Sequence, residues 1–237
     1  MRTAEATLSV PSRQAALPPL DSAAMNAPLL RAIYRWDRLR FALFAARFGE
    51  RLRADPSASP NLRFAALRIE PGGRLEVGAG FAAERARGNH VWVQSGGVVS
   101  LGPRVWLRLE CGENRITAAS GARVEIGARC LVNGAMLHAN VGIRMGDDSL
   151  IGFGSRVLDS DFHDLDVNTP ERSAPVVIGE RVWIASDVTV LAGVTIGDDV
   201  VVGARSVVTR DLPSRVLALG APAVPVRAIG PRARLPG

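Results

Sequence analysis

A strict six-residue spacing of aliphatic side chains runs through the C-terminal third of the chain. One series is Ile178, Ile184, Val190, Ile196, Val202 and Val208; a second, four residues later each time, is Val182, Val188, Val194, Val200 and Ser206. Neither the period of a helix nor the alternation of a single strand gives a strict six. A coil of three six-residue sides does, because each short strand then turns its aliphatic residue into a triangular core. The spacing predicts an all-β solenoid whose coils pair as parallel strands.

The same coil continues upstream with insertions. Aliphatic-Gly pairs mark successive coils at Val77-Gly78, Leu101-Gly102, Ile126-Gly127, Met145-Gly146, Ile178-Gly179 and Ile196-Gly197. The period is 18 residues, and the longest insertion, 15 residues, lies between the coils of Met145 and Ile178. With only 7 Phe, 4 Trp and 1 Tyr, the composition favours a thin core of small and β-branched residues.

The sequence divides into four segments. We expect a flexible arm over 1–25, an amphipathic helix over 26–55 capped near Asn26 and ended by Asp55-Pro56, a parallel β-helix over 56–213 with a loop at 163–177, and a C-terminal segment over 214–237. On a helical wheel the apolar face of the helix comprises Leu30, Ile33, Phe41, Phe44 and Phe48, widened by Leu29, Trp36, Leu39 and Leu43, opposite Arg31, Arg35 and Arg38. Such a helix either packs on its own protein or a neighbouring subunit, or lies on an anionic membrane.

The net charge of +6 comes from the two ends of the chain. Residues 26–55 hold seven arginines against three acids and residues 203–237 six against one, whereas residues 56–202 are slightly acidic. No basic run interleaved with aromatic residues occurs on the repeats, which disfavours nucleic-acid binding. Two cysteines make no disulfide framework, and no run of 18 apolar residues occurs. We therefore expect a cytoplasmic protein, peripheral to the inner face of the membrane if the helix binds lipid.

Four motifs near the C-terminus carry a family resemblance. They are IGERVWI at 178–184, GVTIG at 193–197, GARSVVT at 203–209 and GAPA at 220–223. Together they resemble the sugar and polysaccharide O-acetyltransferase branch of the hexapeptide-repeat acyltransferases. That resemblance implies a left-handed parallel β-helix, acetyl-CoA as the acyl donor, and a homotrimer with active sites between neighbouring subunits.

A histidine stands where the chain leaves the core. Counting six from Met145 gives Ile151, Val157 and then His163, at the long insertion. The catalytic histidine of the family lies on such a loop, so the resemblance makes His163 the general base for direct transfer, without a covalent enzyme intermediate. The alternative is a histidine that bonds to nearby carboxylates and only holds the loop. Of the three aspartates around it, Asp161, Asp164 and Asp166, Asp161 is our candidate to orient it. A backbone carbonyl could do the same, and the alternative role of a charged loop residue is to face water.

The resemblance also suggests acceptor and donor residues. Asn133 is a candidate acceptor ligand or a corner-stabilising asparagine, and Trp183 borders the active-site groove or packs at a subunit interface. For the donor, Gly203 and Ala204 would allow close approach of the pantetheine arm, and Thr209, Arg210 and Arg227 would contact the cofactor. The alternative for each arginine is a solvated corner position.

The predicted function is acetyl-CoA-dependent O-acetylation of a sugar or of a polysaccharide or lipid-linked glycan. Two alternatives stay open: N-acylation of an amino-sugar nucleotide, and a non-catalytic β-helix that serves as a scaffold or binds carbohydrate. A γ-type carbonic anhydrase is disfavoured because the three histidines, His90, His138 and His163, include no close pair. We expect no metal.

Overall fold

The computed structural model describes residues 28–235, so the predicted arm at 1–25 and the cap near Asn26 lie outside the described residues. Helix α1 spans Pro28–Ala46 and is followed by a 3-10 turn at Gly49–Arg51. It therefore ends well before Asp55-Pro56, where we expected it to stop. Gly49 adopts a left-handed φ of 56°, a typical helix terminator, and Leu52 then pairs in parallel with Leu75 as part of the first coil. No helix in the described part of the chain is long and apolar enough to cross a bilayer.

The rest of the described chain winds through short strands, with a second 3-10 helix at Pro60–Phe64. The strands are β1 (Leu52–Ala54), β2 (Ala66–Ile69), β3 (Arg74–Val77), β4 (Ala82–Ala83), β5 (Asn89–Val93), β6 (Val98–Leu101), β7 (Trp106–Arg108), β8 (Asn114–Ala118), β9 (Arg123–Ile126), β10 (Leu131–Asn133), β11 (Met136–Ala139), β12 (Gly142–Met145), β13 (Leu150–Ile151), β14 (Arg156–Leu158), β15 (Val176–Ile178), β16 (Trp183–Ile184), β17 (Thr189–Val190), β18 (Thr195–Ile196), β19 (Val201–Val202), β20 (Val207–Val208), β21 (Val216–Gly220) and β22 (Ala223–Ala228).

The strands form three sheets, the faces of a triangular prism. Face 1 is β1-β3-β6-β9-β12-β15-β18, face 2 is β4-β7-β10-β13-β16-β19-β21-β22, and face 3 is β2-β5-β8-β11-β14-β17-β20. From β3 to β20 the chain passes from face 1 to face 2 to face 3 in each coil, so three corners repeat: 1–2, 2–3 and 3–1. Among the named strands, pairing between coils is parallel and the β21–β22 hairpin is antiparallel.

The six-residue series points inward as predicted. All members of both series are at most 1% exposed. In the shortest strands the second residue is the buried one, as at Ile184 and Val190. Because every side of a coil turns one aliphatic side chain inward, the stacked coils form a continuous aliphatic core.

The glycines of the aliphatic-Gly pairs stack on one another at the 1–2 corner. A Cβ added at Gly146 would lie 2.7 Å from the carbonyl carbon of Gly179, and one added at Gly127 would lie 2.8 Å from the amide nitrogen of Asp147. Successive coils therefore approach closely at this corner, and close approach explains why glycine recurs there.

The C-terminal segment returns along the same corner. Arg129 is paired with Asp148 at 2.7 Å, and Arg181 with Asp199 at 2.8 Å. The N–H of Arg232 donates to Asp199 at 2.8 Å and the N–H of Leu235 to Asp148 at 3.2 Å. The paired guanidinium groups hold the pKa of both carboxyls below the usual range.

Helix α1 packs on the first coil through one side only. Phe41 is buried, and Asp37 pairs with Arg63 at 2.6 Å. The helical wheel placed Arg38 with Arg35 on the side opposite the apolar face. In the structure Arg38 donates to the carbonyl of Ala58, so its side chain points to the prism. Trp36, Leu39 and Leu43, which the wheel placed on the edges of the packed face, are exposed.

Candidate active site

The long insertion leaves the prism at the 3–1 corner, between Leu158 of β14 and Val176 of β15. Asp159 anchors its base. The carboxylate is fully buried and accepts the N–H groups of Asn140, Val141 and Gly142 at 2.7, 2.8 and 2.6 Å. The Asp159 carbonyl accepts the N–H of Ala174 at 2.9 Å. The excursion thus begins four residues before the predicted loop at 163–177, and its two ends are joined.

His163 is exposed near the start of this excursion. The residue before it, Phe162, has a left-handed φ of 66°, which is costly for a bulky side chain. The N–H of Phe162 donates to the Ser160 hydroxyl at 2.9 Å, and the phenyl ring meets His138 edge to face at 4.9 Å between centroids. Packing of Phe162 on face 3 therefore fixes the direction in which the chain presents His163.

A carboxylate not considered from the sequence, that of Glu171, lies on the returning part of the same excursion. Glu171 accepts from the hydroxyls of Ser160 and Ser173 at 2.5 and 3.0 Å, and from the side-chain amide of Asn140 at 3.2 Å. These hydrogen bonds, Ser160 first, lower the pKa of Glu171, and the charge of His163 contributes in the same direction. Nothing in the local spacing marks Glu171, because the excursion has no sequence repeat and only its folding brings this carboxylate to Ser160 and Asn140.

The aspartates of the loop have other contacts. Asp161 is exposed, its N–H donates to the carbonyl of Arg172 at 3.0 Å, and within the described residues its side chain makes no hydrogen bond with His163. Asp164 accepts the N–H of Glu171 at 2.7 Å, so it holds the returning strand of the loop. The role predicted for Asp161 stays a prediction.

The other two histidines differ from His163. His138 is half-buried on face 3, and burial lowers its pKa although the charge of Asp159 opposes the shift. His90 lies 3.5 Å from Glu113 at the surface. Within residues 28–235, no three His, Cys, Asp or Glu side chains are grouped closely enough to hold a metal ion.

Asn133 lies at the end of β10, at the 2–3 corner. Its side-chain oxygen is buried without a hydrogen-bond partner, and so is Nε of Arg108 in the adjacent strand. A residue that only stabilised a corner would have its side-chain oxygen hydrogen-bonded. The unpaired oxygen of Asn133 therefore favours the predicted role of binding the acetyl acceptor. In a single chain, however, Asn133 and His163 occupy different corners of the prism.

Trp183 lies on the outer surface of face 2, between Leu150 and Val201 of the neighbouring strands. It is 42% exposed, and the guanidinium of Arg232 lies 5.6 Å from its ring centroid. The C-terminal segment therefore borders the ring, and the rest of its surface is open.

The predicted donor residues are divided between corners. Thr209 and Arg210 follow β20 at the 3–1 corner, on the same edge as His163 and two coils beyond β14, about 10 Å along the prism. Both are exposed. Arg227 is exposed on β22.

Gly203 and Ala204 follow β19 at the 2–3 corner. The space that we expected at Gly203 is filled, since a Cβ there would collide with the side chain of Leu219. Ala204 remains exposed. The β21–β22 hairpin therefore covers part of the surface predicted for the donor.

Residues 175–210 match the family described as bacterial transferase hexapeptide (six repeats). Over 144 residues, 56% of this chain, the sequence is 32% identical to galactoside O-acetyltransferase of Escherichia coli K12, of which the alignment covers 65%. Over 55 residues, 23% of this chain, it is 56% identical to the putative colanic acid biosynthesis acetyltransferase WcaF of the same organism, covering 30% of that protein. The chain thus spans less than two thirds of these curated relatives.

A solved structure shares the fold. The polysialic acid O-acetyltransferase OatWY superposes with a TM-score of 0.61 at 18% identity, over 77% of this chain and 87% of that one. The fold class predicted from the sequence, a left-handed parallel β-helix with an N-terminal helix, is confirmed.

Proposed function

We propose that this chain, which carries the hexapeptide repeat of bacterial transferases, is an acetyl-CoA-dependent O-acetyltransferase that modifies a sugar or glycan hydroxyl. One observation carries the proposal: His163 is exposed on the long excursion that interrupts the described solenoid. Phe162, with its left-handed backbone, and the buried Asp159 at the base of the loop hold it there. A regular ladder gains no stability from such an interruption, which favours a functional role for the loop. The similarity to a galactoside and a putative colanic acid acetyltransferase supports sugars as the acceptor class.

Direct acetyl transfer from the thioester to a hydroxyl requires a general base, the role that we give to His163. The imidazole of His163 takes the proton from the acceptor hydroxyl as that oxygen attacks the thioester carbonyl carbon. The resulting tetrahedral intermediate collapses, the C–S bond breaks, and the leaving thiolate takes the proton from the imidazolium. The acetyl group passes directly from donor to acceptor, and His163 returns to its neutral form.

Thr209 and Arg210 are the donor residues best supported, because they lie on the same edge of the prism as His163. The Arg210 guanidinium suits the phosphates of CoA, since its planar fork bonds two oxygens at once. Ala204 and Arg227 remain candidates on other edges. Gly203 would contact the donor only where Leu219 leaves its backbone accessible.

The predicted site residues are divided between two corners of the prism, which favours a homotrimer with active sites between neighbouring chains. Asn133 and Ala204 lie at the 2–3 corner and His163 at the 3–1 corner, so one chain alone does not complete the proposed site. A monomer in sedimentation equilibrium that is fully active at the same concentration would exclude this arrangement.

The decisive variant is His163→Ala. Loss of a general base should lower kcat/KM for acetyl transfer by about 10²- to 10⁴-fold while acetyl-CoA binding persists. His90→Ala is the matched control, because it removes a partly exposed histidine of the same solenoid. Wild-type turnover by His163→Ala would end the mechanism, and absence of acetyl-CoA binding in equilibrium dialysis would instead favour a non-catalytic β-helix.

The acceptor is found by measuring CoA release against sugars, nucleotide sugars, amino-sugar nucleotides and polysaccharide fragments. Ester products that hydroxylamine cleaves are expected. An amide product on an amino-sugar nucleotide would replace the proposal with N-acylation.

A further inference from the structure

The outward side of α1 carries large apolar side chains that no residue of the described chain covers. Trp36, Leu39 and Leu43 are 57%, 50% and 64% exposed. The opposite side already packs on the prism through Phe41, with Phe44 half-buried beside it. The helix is therefore apolar on two sides, and only one side is needed for the fold.

The exposed residues form a narrow stripe. At 100° per residue, Ala32, Trp36, Leu39 and Leu43 fall within a sector of about 60°. We call these four residues the outer stripe. Its sector is roughly opposite that of Phe41, so the outer stripe faces away from the prism.

Arginines flank the outer stripe on both sides. Arg35 lies about 40° from one edge and Arg40 about 40° from the other, and Arg47 follows the last residue of the helix. All three are exposed, and the guanidinium of Arg40 lies 5.6 Å from the Trp36 ring centroid. Arginine stems reach past apolar side chains and leave their charge at the polar boundary.

Acidic groups are absent from this side of the helix. The single acid of α1 is Asp37, which lies on the packed side in its ion pair with Arg63. The charge of the outward side is thus wholly positive, and it complements an anionic surface.

We infer that the outer stripe of α1 lies in the headgroup region of an anionic lipid bilayer, with Arg35, Arg40 and Arg47 against the lipid phosphates. An apolar strip flanked by arginine on both sides is the arrangement that an interfacial helix needs. A second copy meeting stripe to stripe would instead bring these arginines against the same arginines of the other chain. The inference does not depend on the proposed acetyl transfer.

Co-sedimentation of the full chain with vesicles tests it. We expect binding to vesicles of phosphatidylcholine with phosphatidylglycerol and far weaker binding to phosphatidylcholine alone. Arg40→Gln with Arg47→Gln should weaken the anionic binding about 10- to 30-fold, because each arginine near the surface contributes about fivefold. Leu39→Gln with Leu43→Gln should weaken binding to both vesicle types.

The controls are Arg144→Gln and Val177→Gln, exposed neighbours on face 1 that should leave binding unchanged. Thermal unfolding and acetyl transfer should be the same in all variants. Equal losses in the control variants, or binding that ignores lipid charge, would overturn the inference. So would a change in oligomeric state of the leucine variant without vesicle binding, since a second copy would then cover the outer stripe.

Discussion

At the scale of single residues, the excursion offers His163 two carboxylates in different settings. Both are exposed. Three side-chain donors hold the Glu171 carboxylate, whereas no hydrogen bond within the described residues holds the Asp161 side chain. A fixed charge contributes more to positioning and to stabilising an imidazolium than a mobile one does, because no ordering cost is paid during the reaction.

Glu171→Gln should therefore lower kcat/KM about tenfold and Asp161→Asn much less. Steady-state kinetics of both variants check the two effects. The reverse ranking would assign the orienting role to Asp161, as first predicted from the sequence.

His138 predicts how stability depends on pH. Burial lowers its pKa, so the folded protein binds this proton less readily than the unfolded chain does. Its contribution to stability is fully present above about pH 6.5 and is lost as the pH falls through the lower folded value. Urea unfolding at pH 8 and pH 5 should show a smaller loss for His138→Gln than for wild type. His90→Gln, a change at a partly exposed position, should match the wild type.

At the scale of elements, the 1–2 corner depends on glycine. Gly146→Ala would force a Cβ against the Gly179 backbone, which cannot move without shifting a coil, and should cost about 1–3 kcal/mol. The control is Gly230→Ala, where nothing lies within 4 Å of the new atom. A Gly146→Ala protein as stable as wild type in urea would show that the coils separate easily at this corner.

The same elements show what the sequence could predict. The inward series from Ile178 to Val208 was predictable because each residue repeats its neighbour's environment six positions away. The end of α1 was not, because Leu52 becomes a strand only by pairing with Leu75. A helical wheel also cannot tell which of two apolar sides will pack. The hydrogen-bonded position of Glu171 was not predicted, because the sequence of the excursion contains no repeat from which its fold could be inferred.

At the scale of the whole molecule, the two basic ends have different settings. The arginines of α1 surround an exposed apolar stripe, whereas Arg232 is buried enough for its pKa to fall below the usual range and donates to the carbonyl of Arg181. The arginines of α1 thus border the surface that we propose for lipid contact, whereas Arg232 stabilises the solenoid.

Deleting residues 230–237 should lower the free energy of unfolding by about 1–3 kcal/mol, because the carboxylates of Asp148 and Asp199 lose backbone donors. Urea titration measures the loss. Amide exchange in β3 and β6, which lie two or more coils from the coil of Asp148, should not change and serves as the internal control. Unchanged stability after deletion would show that water replaces these donors without cost.

The bond from Leu235 to Asp148 joins residues 87 positions apart. A repeat stack with a free end frays one coil at a time, since each coil touches only its neighbours. Here the last residues are tied to a coil in the middle of the stack, so the coils between them cannot open singly. The coils between Asp148 and Leu235 should therefore unfold together, as one cooperative unit.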